Sequence, residues 1–228
     1  MSNELECNTI SPCKYYSQIE QDKYFIENIN NGKRNGYFVD IGANDGITFS
    51  NTFTLEQSFG WKGLCVELDD LTFAKLQKNR TCNCVKECVF STSGIEKEIE
   101  VPLNKEIPEG NNMLIRIKDL PLYDKGVYCY FNEQFQSVRT YKKITKTLSE
   151  IFSENSVPSV IDYMSIDIEG SDLDALKGLD FSKYKILFLT IEWGGGSKEY
   201  LTEITNFLHE KGYKQHRVNN WDVEFVPI

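Results

Sequence analysis

The sequence predicts a single α/β domain spanning residues 1–228, built on a mostly parallel seven-stranded sheet with a C-terminal antiparallel hairpin and a β-containing insertion. Three observations predict it. Short apolar runs of strand length alternate with amphipathic helical stretches, which implies right-handed crossovers and a parallel sheet covered on both faces. The last two strand-like segments are separated only by Asn219-Asn-Trp-Asp222, too short for a crossover, so they must pair antiparallel. The alternation fails between 91 and 145, where β-like segments and polar loops replace it. No Pro/Gly/Ser-rich linker divides the chain.

Residues 1–35 form an N-terminal helical segment, its helix at 18–31 carrying Ile19, Phe25 and Ile29 near helical spacing before Asn31-Gly32. A buried strand follows at 37–41. The next helix starts at Ser50 or Asn51 and runs to Phe59, ahead of Gly60. Strands at 63–67 and 85–90 flank a helix at 69–79, whose Leu71, Phe73 and Leu76 point inward. The insertion, 91–145, contains β-like segments at 97–101, 113–117 and 138–144. Thr147-Leu-Ser-Glu150 is a capping-box pattern that opens a helix. Strand 161–166, a helix from Ser171, strand 186–191, a helix at 199–211 and strands 213–218 and 223–226 complete the chain.

The chemistry concentrates in Asp40-Ile-Gly-Ala-Asn-Asp-Gly46, at the carboxyl end of the first strand, where open α/β sheets bind ligands. A dinucleotide site would carry Gly-x-Gly-x-x-Gly here to admit a pyrophosphate. This loop has Gly42 and Gly46 only, together with acidic Asp40 and Asp45. Carboxylates repel a diphosphate and suit a ligand with a sulfonium and an ammonium group, which describes S-adenosylmethionine. Glu67, at the end of the second strand, is placed to accept hydrogen bonds from two ribose hydroxyls.

Through Phe38–Gly46, Ser50–Thr52, Gly60–Glu67, Leu76-x-x-Asn-Arg80, Cys82, Asp162–Gly170, Leu176–Gly178, Asp180-Phe181, Ile191-Glu192 and Gly212-Tyr213, the chain resembles the FkbM family of methyltransferases. The resemblance runs from about Tyr16 to the C-terminus and is weakest through 91–141. It implies a Rossmann-like methyltransferase fold, S-adenosyl-L-methionine as donor, and O-methylation, often of sugar hydroxyls. It places Asp40, Gly42, Asn44 and Asp45 on the methionine side, Ser50 and Asn51 nearby, Glu67 at the ribose, and Val89 with Ser91 beside the adenine. Leu68-Asp69 departs from the family, where a proline-containing turn is expected.

Asp167 and Glu169 follow the fourth strand and Glu192 ends the fifth, so three carboxylates converge at the ligand edge of the sheet. A sugar hydroxyl needs a general base, or a divalent metal that lowers its pKa. Asp167, Glu169 and Glu192 are the catalytic candidates, with Asp167 also a donor contact. Asp167 and Glu192 are equally candidates to hold Mg²⁺ or another divalent cation through oxygen. Tyr123-x4-Tyr128-Cys-Tyr-Phe131 offers either sugar-stacking platforms or a small core for the insertion. His209 reads as a surface residue and His216 as structural.

A net charge of −9 disfavours a nucleic-acid partner, which would require a basic surface. The expected partner is a carbohydrate acceptor, such as a deoxysugar in a glycan. No apolar run is long enough to span a bilayer, and the first residues lack the pattern of a signal peptide, so a cytoplasmic location is expected. Seven cysteines, an odd number, read as reduced thiols. Cys82-x-Cys84-x3-Cys88 reads as structural, because no second pair or nearby histidine completes a zinc set. The competing readings are a nicotinamide-dependent sugar oxidoreductase and a donor- or carbohydrate-binding domain without catalysis.

Overall fold

The computed structural model describes residues 13–103, 114–118, 120, 137–195 and 197–228. In chain order its strands are β1 (Tyr37–Ile41), β2 (Lys62–Glu67), β3 (Asn83–Lys86), β4 (Cys88–Val89), β5 (Glu96–Leu103), β6 (Arg116–Ile117) and β7 (Ser137–Lys146). The remaining strands are β8 (Val160–Ile161), β9 (Tyr163–Ile166), β10 (Lys185–Ile186), β11 (Leu189–Glu192), β12 (Tyr213–Val218) and β13 (Asp222–Pro227). Helices are α1 (Gln21–Tyr24), α2 (Phe53–Phe59), α3 (Asp70–Asn79), α4 (Leu148–Glu154), α5 (Asp172–Lys177) and α6 (Lys198–Glu210).

The main sheet has seven strands in the order β12-β13-β11-β9-β1-β2-β3. All pair in parallel except β13, which runs antiparallel to both β11 and β12. The predicted α/β class and C-terminal hairpin are present. The chain steps outward from β1 to β2 and β3, then returns to the other side of β1 with β9. That reversal opens a crevice at the carboxyl ends of β1 and β9.

Side-chain alternation divides the core between the two faces of the sheet. Val39, Ile41, Leu64, Val66, Met164 and Ile166 pack on one face against α4, α5 and α6. Phe38, Cys65, Tyr163 and Phe188 pack on the other against Phe25 and Ile26 of the N-terminal segment, α2 and α3. Burying each of the valine, leucine, isoleucine, methionine and phenylalanine side chains among these contributes about 1.5–3 kcal/mol.

Three predicted strands divide where the sequence looked continuous. The strand expected at 85–90 breaks at Glu87: β3 stays in the main sheet, and β4 joins β7 in a second sheet ordered β4-β7-β5-β6. The strand at 161–166 breaks at Asp162, whose carboxylate accepts from the Tyr37 amide (2.9 Å) and Lys33 Nζ (2.6 Å). The strand at 186–191 breaks likewise, and β10 pairs with β8. The N-terminal helix begins at Gln21 and widens to a π-turn over Phe25–Ile29. Thr147 caps α4 by accepting from the Glu150 amide, as the capping box predicts. Part of the segment expected at 113–117, and the Tyr123–Phe131 stretch, lie outside the described residues. No helix among the described residues is long and apolar enough to cross a membrane.

Candidate active site

Gly42 leaves β1 with φ 86°, and a Cβ built there would stand 1.8 Å from the carbonyl oxygen of Asp167. Only glycine fits this approach between the β1 and β9 ends. The junction is fixed by Asp167 N donating to Ile41 O (2.9 Å) and by Gly42 N donating to Val66 O (3.0 Å). A cleft of about 560 Å³, including its solvent-open part, lies above it. Gly42, Asn44, Glu67, Val89, Asp167 and Glu169 line it, so six of the sequence-predicted residues meet in one place.

Glu67 is buried, and its carboxylate accepts from the amides of Asn44 (3.0 Å), Leu68 (2.8 Å) and Asp69 (3.0 Å). Burial outweighs those donors and pushes its pKa up to about 6. The anion thus both shapes the β1 loop and faces the cleft. Asn44 adopts φ 50°, and its buried side-chain oxygen has no hydrogen-bond partner; the buried Asn51 oxygen is likewise unpartnered. Asn51 Nδ2 donates to Ser165 Oγ (2.9 Å). Unpaired acceptors of this kind are costly unless a ligand supplies a donor.

The other predicted residues lie outside the cleft lining. Asp40 shares a face with Phe38 and is buried, accepting from Thr52 Oγ1 (2.6 Å) with Arg80 Nη1 at 3.9 Å. Asp45 accepts from the amides of Ile47 and Thr48 and from the Thr48 hydroxyl, forming the loop's own turn. Ser50 Oγ accepts from the amides of Thr52 (3.2 Å) and Phe53 (3.1 Å) in the turn that leads into α2, which starts at Phe53 rather than at Ser50 or Asn51. Ser91 is half-buried, just beyond Val89. From the sequence, Asp40 and Asp45 are expected to face the ligand. Here their carboxylates serve the loop and its support, and the acidic character of the cleft comes from Glu67, Glu87, Asp167 and Glu169, with Arg116 also in its lining.

The carboxylates of Asp167, Glu169 and Glu192 lie within 4.8 Å of one another. Glu192 is hydrogen-bonded to Asp167, and burial raises both pKa values, Glu192 well above its ordinary range. Asp167 is reached by solvent yet enclosed by surrounding protein, as befits a group at the mouth of a cleft. Two carboxyls this close share a proton rather than both ionising.

Sequence reasoning missed two members of this acidic end. Asp172 accepts from the amides of Ile168 and Gly170 (both 3.1 Å) and so shapes the loop bearing Glu169. Asp222 is the register partner of Glu192 across the β11–β13 ladder. Burial, followed by the Asp167 charge, raises each to about 7. Antiparallel pairing of the terminal hairpin was the signal for Asp222, but its register was not legible. The insertion's Ile115, Arg116 and Ile117, which wall the cleft, were also missed.

Residues 40–214 match the family model of the methyltransferase FkbM domain, which covers most of the chain. The chain belongs to the FkbM methyltransferase family. Membership implies methyl transfer with S-adenosylmethionine as donor. Among solved structures, methyltransferase FkbM from Methylobacillus flagellatus KT aligns with TM-score 0.54 at 15% identity, covering 93% of this chain and 48% of that one. This chain therefore spans about half the length of that relative, and the likeness is one of fold. The METTL16 methyltransferase domain aligns at TM-score 0.49 and 13% identity, covering 92% of this chain and 65% of that one. Precorrin-6y C5,15-methyltransferase from Geobacter metallireducens GS-15 aligns at 0.45 and 11%, covering 85% and 81%. No curated protein sequence matches the chain.

Proposed function

We propose that this FkbM methyltransferase domain transfers a methyl group from S-adenosylmethionine to a hydroxyl of a sugar or glycan. The observation that carries the reading is the Asp167–Glu192 carboxyl pair, set beside the Gly42 turn at the cleft mouth. The chain's residues fit the donor: Gly42 leaves room no side chain would, Asn44 holds an unpaired buried acceptor in the cleft lining, and Glu67 keeps lone pairs beyond its three amide donors. Asn44 and Asp167 would hold the methionine end and Glu67 the ribose, with Val89 against the adenine. When bound, the donor supplies an electrophilic methyl group.

The chain's own task is to prepare the acceptor oxygen. A neutral hydroxyl is a weak nucleophile, and the Asp167 carboxylate, hydrogen-bonded by Glu192, is placed to take its proton as the oxygen attacks. Asp172 holds the 168–170 loop and therefore the direction of Glu169. An acidic rim accepts hydrogen bonds from several hydroxyls and repels a phosphate backbone, which supports a carbohydrate over a nucleic acid. A second reading is favoured by the three oxygens lying within 4.8 Å of one another: Asp167, Glu169 and Glu192 would then bind a divalent cation such as Mg²⁺.

One assay separates the two mechanisms: methyl transfer to a panel of deoxysugar glycosides, with and without chelator. A carboxylate base predicts activity that chelator leaves intact and Asp167→Asn reduces by roughly 10²–10⁴. A cation predicts loss in chelator and recovery on adding Mg²⁺. Full activity in Asp167→Asn, Glu169→Gln and Glu192→Gln alike would place the chemistry elsewhere. Strong NADPH binding without any response to S-adenosylhomocysteine would overturn the donor assignment.

A further inference from the structure

Cys65, Cys82 and Cys84 lie away from the cleft and take no part in the chemistry proposed above. Parallel register brings them together: Cys65 on β2 faces Cys84 on β3, and Cys82 stands two residues before Cys84, on the same face. The row continues inward, since Cys65 is also the register partner of Asp40. The three sulfurs lie within 4.8 Å of one another, with Cys65 Sγ and Cys82 Sγ 3.5 Å apart. Cys65 is fully buried, whereas Cys82 and Cys84 are half-exposed at the edge of the sheet.

These distances match a common centre. Metal–sulfur bonds of about 2.3 Å with tetrahedral or trigonal angles separate neighbouring sulfurs by roughly 3.8–4.0 Å. That spacing falls between the 3.5 Å Cys65–Cys82 separation and the 4.8 Å within which all three sulfurs lie. The ligand set is anchored as well. The Thr81 and Cys82 amides donate to Glu56 Oε1 (2.6 and 3.1 Å), and the Glu56 carboxylate in turn pairs with the buried guanidinium of Arg80. Sequence spacing alone grouped Cys82 with Cys84 and Cys88. The fold replaces Cys88, which lies on β4 among the insertion's core residues, with Cys65.

We propose that Cys65, Cys82 and Cys84 form a binding site for one thiophilic d¹⁰ cation, zinc(II) or copper(I), held by three thiolates at the β2–β3 edge. Binding releases the three thiol protons to solvent and leaves sulfur oxidation states unchanged. Zinc(II) takes a water as fourth ligand, while copper(I) is complete with three sulfurs. Hard ions such as Mg²⁺ prefer oxygen and are not ligands for this site. The ion ties the edge strand β3 to β2, which lies next to the strand that carries Asp40.

The test uses the full chain, stripped of metal and kept reduced and anaerobic. It is titrated with zinc(II) and separately with copper(I) against a chromophoric chelator, with stoichiometry read by native mass spectrometry. We expect one equivalent of at least one ion, a melting temperature raised by several degrees, and the same result in Cys88→Ala and in the Asp167→Asn/Glu192→Gln double variant. Cys82→Ser/Cys84→Ser, whose far-UV circular dichroism reports its folding, should bind at least 100-fold more weakly and lose the thermal shift. Preference for one ion identifies which of the two the site takes. Failure of the wild-type chain to hold either ion against the chelator would overturn the proposal, as would equal binding by the double serine variant. Formation of a Cys65–Cys82 disulfide in peroxide, with no metal uptake by the reduced protein, would also overturn it.

Discussion

At Glu67 one carboxylate answers to two demands, because the same oxygens that hold the β1 loop also face the cleft. Three amides donate to it, so Glu67→Ala would strip the loop of its anchor as well as the ligand of its partner. Glu67→Gln is the cleaner probe, since its carbonyl still accepts from part of that set. It should weaken S-adenosylhomocysteine binding by roughly 1–3 kcal/mol, read by calorimetry, with the melting temperature of the free protein little changed. Unaltered affinity would remove Glu67 from the donor site. The Glu67 position was legible in the sequence because it follows from counting one β-α-β unit. The roles of Asp40 and Asp45 were less legible, for a physical reason. A carboxylate in a glycine loop reads the same whether it faces a ligand or closes a turn, and only the Thr52, Arg80 and Thr48 contacts decide.

Among the elements, the terminal hairpin and the N-terminal segment meet through a pair that no local pattern encodes. Gln21 Nε2 donates to Asp222 Oδ2 at 2.7 Å across 201 residues of sequence. Asp222 is buried, and its pKa is pushed up to about 7, so the folded state binds a proton that the unfolded chain has already released near pH 4. The stabilisation from that proton is present at low pH and fades as pH rises through about 7. Asn at this position is neutral throughout and can still accept from Gln21. The melting temperature of Asp222→Asn should therefore gain on that of the wild type as pH goes from about 4 to 7, and the gap should level off above that. A constant difference across that range would mean Asp222 titrates normally. A second element-scale link joins α3 to the insertion. Asp69 caps α3 through the Leu71 and Thr72 amides and also accepts from Arg139 Nη2 (2.6 Å) and Tyr141 OH (3.1 Å). Asp69→Ala should cost about 1–3 kcal/mol in denaturant unfolding, more than an isolated cap, because it also leaves the Tyr141 hydroxyl unpaired. A loss below about 0.5 kcal/mol would show that the insertion docks without it.

For the whole molecule, the sequence carried the sheet well and the insertion poorly. Parallel strands buried on both faces leave unmistakable apolar runs, and a four-residue link can only be a hairpin, so the architecture of β1, β2, β9, β11, β12 and β13 could be read directly. Interruptions such as Asp162 and Glu87 could not, since they depend on which sheet each half joins. The insertion's contribution to the cleft wall escaped for the same reason: Ile115 and Ile117 are ordinary β residues until β5, β6 and β7 fold back over Val89. The cleft therefore needs the main sheet and the insertion together, and its ligand should report on the stability of both. S-adenosylhomocysteine at about one hundred times its dissociation constant stabilises the native state by about 2.7 kcal/mol. For a domain of this size each kcal/mol moves the midpoint by about 2–4 °C, so a rise of roughly 5–10 °C is expected in thermal melts. NADH and NADPH should leave the midpoint unmoved, because the donor loop lacks the third glycine of a pyrophosphate site and the Asp167 carboxylate follows directly on the strand end packed against it. If the ligand spans both parts, the transition should stay single and shift as one. Two transitions, with only the later one shifting, would mean that the insertion melts separately and that the donor is held by the main sheet alone.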